Sequence, residues 1–192
     1  MKEKFAKSRN CIFIKLKSKA GFSLLELLVA VIVLLLVSGG LATASTVANN
    51  QFVKSMRNSE AQELYTNLKS LLDYELRHVD TSNSNALVYD ETTGVVSKFH
   101  SKTYSSSSIN EAGTLVSIDD DNNETEYGEI AFSNNSAQYN RLLGKAAYPH
   151  DIQAKVTIYY DEDNNIFTVD TVIAVNDEPI LENKPYQVIP LN

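Results

Sequence analysis

Three kinds of side chain in this sequence carry the means to do chemistry: a lone glutamate, two acidic runs and three histidines. Glu26 stands at the threshold of an apolar stretch, and from Leu27 to Val53 no residue is charged. An ionisable group at that depth is costly to desolvate and is usually kept there with a partner and a purpose. The plainer reading is a charge at headgroup level, one turn into a helix. Asp119, Asp121, Asn123 and Glu124 offer oxygen donors in one run, and Asp161, Asp163 and Asn165 in another. Both look like the opening of a Ca²⁺ loop, but the glycine of the sharp turn and the bidentate glutamate are missing. Solvated turns account for them better, and no metal site is assigned. His78, His100 and His150 are scattered, without H-E-x-x-H spacing, and there is no Gly-rich phosphate loop. The sequence reads as that of a non-enzyme without a cofactor.

The frame around Glu26 is more specific. It runs Gly21-Phe22-Ser23-Leu24-Leu25-Glu26-Leu27-Leu28 and continues apolar from Val29 to Val37. These residues resemble the N-terminus of the type IV pilin-like family, which includes the pseudopilins of type II secretion and competence systems. The resemblance covers roughly the first third of the chain. It implies cleavage after Gly21 by a prepilin peptidase and N-methylation of the new terminus, Phe22, by the same enzyme. Glu26 would then be the fifth residue of the mature subunit. In the family its carboxylate pairs with the terminal amine of a neighbouring subunit and aids assembly. The implied partners are the peptidase/N-methyltransferase, other pilin-like subunits in a helical filament, the membrane and an assembly platform protein. The implied product is a type IV pilus, competence pilus or type II secretion pseudopilus, with a minor-subunit role among the assignments.

Charge is divided in a way that suits this. Residues 1–20 hold seven bases against one acid, a balance of +6; the rest hold ten bases against 23 acids, a balance of −13. A basic flank before an apolar run stays in the cytoplasm, and the acidic portion goes outward. An acidic body argues against direct nucleic-acid binding by the isolated subunit. The one cysteine, Cys11, lies in the leader, so a processed chain has no disulfide. Many Gram-negative type IV pilins close a C-terminal loop with one, and here the sequence departs from them.

Two other readings compete. A basic n-region, an apolar run, Gly39-Gly40 and then Ala42-Thr43-Ala44-Ser45 also fit a secretory signal peptide cleaved after Ala44. That cut would release a soluble β-rich binding domain. Glu26 ahead of the apolar run weighs against it. The third reading is a single-pass anchored surface protein that does not polymerise.

The elements that must position Glu26 follow from periodicity. Residues 1–21 form the leader. One long helix is expected over 22–79, with a membrane half at about 22–48 and an amphipathic half at about 49–79. A charge-free run of 27 residues exceeds the ~20 needed to span a bilayer core. Gly39-Gly40 either loosens that helix or allows close packing of small residues between membrane helices. Val53, Met56, Ala61, Leu64, Leu68, Leu71, Leu72, Leu76 and Val79 recur at mostly three- and four-residue steps, with Lys54, Arg57, Glu60, Glu63, Lys69, Asp73 and Glu75 between them. The stripe should cover a sheet of the same chain. Residues 80–192 read as β-rich, with hairpins around 91–94, 119–126 and 161–165. Pro179, Pro185 and Pro190 confine the C-terminus to loop or edge strand. The expected class is α+β: a long transmembrane-plus-amphipathic helix packed on an antiparallel sheet, as in pilins.

Overall fold

The computed structural model describes residues 23–103, 112–134 and 138–191. The leader, with Gly21 and Phe22, lies outside the described residues. The chain falls into two compact units, Met1–Asn50 and Gln51–Asn192. The class is α+β: one long N-terminal apolar helix and antiparallel sheets.

Helix α1 spans Leu24–Arg77. Up to Asn50 none of its described residues is buried, and its apolar side chains from Leu24 (84 % exposed) to Val47 (55 %) stand open. It is long and apolar enough to cross a membrane. Its hydroxyls are turned back on the helix: Ser38 donates to the Leu34 carbonyl at 2.7 Å and Thr46 to that of Ala42 at 3.0 Å. Such bonds spare these two hydroxyls a need for water, which lipid could not supply.

In the second unit α1 buries Ala61, Leu64, Leu68, Leu72 and Leu76, the stripe expected from the sequence. Glu75 is a correction. Its spacing places it on the polar face, yet it is only 2 % exposed. Its carboxylate accepts from the Ser101 hydroxyl at 2.9 Å and the Thr103 N–H at 3.3 Å, which offsets the cost of burying it. The last turn tightens, with His78 N–H bonded to Glu75 O and Val79 N–H to Leu76 O. The Leu191 N–H then caps the Arg77 carbonyl at 2.7 Å.

The strands are β1 (Leu87–Tyr89), β2 (Val96–Phe99), β3 (Thr114–Ile118), β4 (Glu129–Asn134), β5 (Gln138–Arg141), β6 (Ile152–Asp161), β7 (Ile166–Val175), β8 (Glu178–Glu182) and β9 (Tyr186–Val188). All three expected hairpins form, as β1–β2, β3–β4 and β6–β7, each antiparallel. The longest pairs Ile152 with Val175 through to Asp161 with Ile166. The proline-bearing C-terminal segments pair along successive stretches of β7 as β8 and β9. Isolated bridges Val95–Tyr159 and Gly128–Ala154 tie the smaller sheets to β6. Gly128 is required there: a Cβ would lie 2.3 Å from the Ile118 carbonyl oxygen. Strand β5 has no counterpart in the sequence reading. Gln138-Tyr139-Asn140-Arg141 holds one aromatic among polar residues, and its place is set by pairing with β4.

The core gathers Leu64, Leu68 and Leu72 of α1 with Phe132, Ile158, Phe167, Val169, Ile173 and Val188. Phe99 and Phe132 meet edge to face at 5.4 Å. Tyr148 is 8 % exposed, and its hydroxyl oxygen accepts the buried Ile130 N–H at 3.0 Å.

Candidate functional site

The N-terminal end of α1 is built by two residues acting on each other. Ser23 precedes the first helical residue, and its hydroxyl accepts the Glu26 N–H at 3.2 Å. The Glu26 carboxylate reaches back through Oε2 to accept the Ser23 N–H at 3.0 Å. This is a reciprocal capping box, which satisfies two of the helix's otherwise unpaired donors. It also puts a negative charge on the positive end of the helix dipole. Oε2 is committed to this bond, while Oε1 accepts nothing among the described residues. The N–H that Oε2 holds belongs to the Phe22–Ser23 peptide. The carboxylate is therefore one residue from the amine that cleavage after Gly21 would create.

Of Gly21, Phe22 and Glu26, only Glu26 falls among the described residues. The sequence places Ser23 in the motif but not as a cap, although the S-x-x-E spacing before an apolar run announces a capping box.

The acidic runs are closed by hydrogen bonds within their own turns. Asp119 accepts the Asp121 and Asn123 N–H groups at 2.9 and 2.8 Å and the Asn123 side-chain amide at 3.0 Å. Those bonds, led by the Asn123 side chain, hold its carboxyl below the usual carboxylate range. Asp161 does the same with Asn164 and is likewise lowered. Each aspartate spends its oxygens on its own turn. Among the described residues no three Asp, Glu, His or Cys side chains converge. The histidines occupy separate settings: His78 against Tyr74, His150 with Glu60 at 3.0 Å, and His100 with Nδ1 buried and unpaired.

Residues 16–42 match the family model described as the prokaryotic N-terminal methylation motif. The chain carries the leader signature of type IV pilins and pseudopilins. The matched span contains Gly21, Phe22, Ser23 and Glu26, so the capping box sits inside the motif. The motif supports a type IV pilin-like or pseudopilin subunit, and implies processing by prepilin peptidase and assembly with pilin-like subunits. Together with the apolar helix it fits membrane anchoring. No curated protein matches the chain, and no solved structure does.

Proposed function

We propose that this chain is a non-catalytic structural subunit that is cleaved after Gly21, N-methylated on Phe22, held in the membrane by α1 and drawn into an extracellular helical filament or pseudopilus. The observation that carries the proposal is the methylation motif with Glu26 at the third position of α1, one residue from the prospective terminal amine. In a filament the free Oε1 accepts the amine of a neighbour's Phe22, while Oε2 stays on its own helix end. The pair offsets the desolvation of both ions in an apolar surrounding. The apolar half of α1 forms the filament core, the β-rich unit faces outward, and an assembly platform protein in the membrane drives extraction.

Release of a soluble domain at Ser45 is the weaker reading, because Glu26 stands ahead of the apolar run and residues 16–42 match the methylation motif. The test is fractionation of the native cells. The proposal expects the processed chain in sheared surface filaments as well as the membrane. A chain confined to the membrane would sink polymerisation, and one found only as soluble protein in the medium would sink anchoring.

A further inference from the structure

The first charges after the apolar run are both basic, Lys54 and Arg57, and the acids begin only at Glu60. Three residues apart on a helix, the two side chains are neighbours on one face, where like charges repel unless an anion lies between them. Among the described residues neither forms an ion pair. The one acid within a turn of Arg57 is Glu60, and it is engaged by His150 at 3.0 Å. Arg57 is half-buried: its Nε is closed off inside the protein without a hydrogen-bond partner, and its two terminal nitrogens are the donors left accessible. Phe52, just before the pair, is 66 % exposed.

Length supplies the second argument. The 27 charge-free residues Leu27–Val53 extend about 40 Å as helix. A bilayer is about 30 Å across its hydrocarbon and about 40–45 Å with its headgroups. With Glu26 at one headgroup layer, the basic pair therefore reaches the other, where long cationic side chains extend their charge to the headgroups.

We propose that Lys54 and Arg57 together bind headgroup phosphate of the outer leaflet, fixing the depth at which the subunit waits before extraction. This rests on the membrane-anchored reading above. Arg57 offers planar N–H donors and Lys54 a mobile ammonium, the usual pairing of shapes around one phosphate. The contact is reversible, so it sets a position without trapping the subunit.

The experiment is magic-angle-spinning NMR of the full chain, ¹³C-labelled on arginine and lysine, in phosphatidylglycerol vesicles. Dephasing of side-chain carbon by lipid ³¹P reports phosphate within a few ångströms. The chain holds four arginines, Arg9, Arg57, Arg77 and Arg141. Arg77 and Arg141 are ion-paired with Asp73 and Glu129 and serve as internal controls. We expect a dephased Cζ signal that falls in Arg57→Gln, and a dephased Lys Cε signal that falls in Lys54→Gln. Dephasing unchanged in both variants overturns the proposal, since leader residues then account for it. Amide exchange over residues 27–47 in the same sample separates the two claims. Protected amides without dephasing overturn the phosphate contact alone, whereas unprotected amides overturn the anchoring as well.

Discussion

Replacing Glu26 by glutamine, rather than alanine, separates the two roles that its carboxylate holds. Glutamine keeps an oxygen able to accept the Ser23 N–H, so the capping box survives. What it loses is the negative charge. Alanine loses both. A capping box is worth about 1 kcal/mol, roughly a fivefold change in an equilibrium. A paired charge in an apolar surrounding is another matter. Removing one partner leaves the other buried and uncompensated, at a cost of about 3–5 kcal/mol, or more than about a hundredfold. The amine-pairing account therefore predicts that Glu26→Gln and Glu26→Ala fall together, each losing at least about a hundredfold in filament incorporation. Ser23→Ala should lose no more than about fivefold. The assay is quantitative immunoblotting of sheared filaments against membranes, with mass spectrometry to show that every variant is still cleaved. Near-normal filaments from Glu26→Gln beside a loss of no more than about fivefold from Glu26→Ala would refute the reasoning. Glu26 would then be a helix cap and no more.

Other expectations concern the frame around that site. Tyr148→Phe strips the partner from the buried Ile130 N–H, and should cost about 2 kcal/mol, or roughly 4–8 °C in Tm; circular dichroism showing a change below about 1 °C would contradict it. A Cβ at Gly39 or Gly40 meets nothing within 4 Å in the chain. Alanine at both should therefore slow amide exchange across that turn by about tenfold or more, from a propensity gain near 1 kcal/mol per site; faster exchange would count against the helix described. The depressed Asp119 and Asp161 carboxyls stabilise their turns above the unfolded value of about 3.9, and that stabilisation is lost as pH falls through the lower folded value. The Asn123 and Asn164 amide resonances should therefore hold steady to about pH 4 and move only below it, whereas a midpoint above 4 would show the turn bonds to be absent.

What the sequence reveals here depends on how local the cause is. The motif around Gly21, Phe22 and Glu26 is legible because its residues are contiguous, and the family match over residues 16–42 covers the same stretch. The α1 stripe and the β6–β7 hairpin are legible because periods of about 3.6 and 2 mark them against a single core. Glu75 is not, because its burial depends on Ser101 and Thr103, more than twenty residues away, arriving as donors. Strand β5 is not, because its polar residues take extended form only when β4 is beside them. Ser23 was within reach: its spacing to Glu26 is a known cap, overshadowed by the apolar run that follows.

The central claim concerns where the mature chain begins, and one measurement addresses it directly. The protein is purified from its native cells, its intact mass is taken, and its N-terminal peptide is sequenced by fragmentation. The account predicts a chain starting at Phe22 with a methyl group on its α-nitrogen. A chain starting at Ser45, or one retaining Met1 in cells that process other pilins, would contradict it.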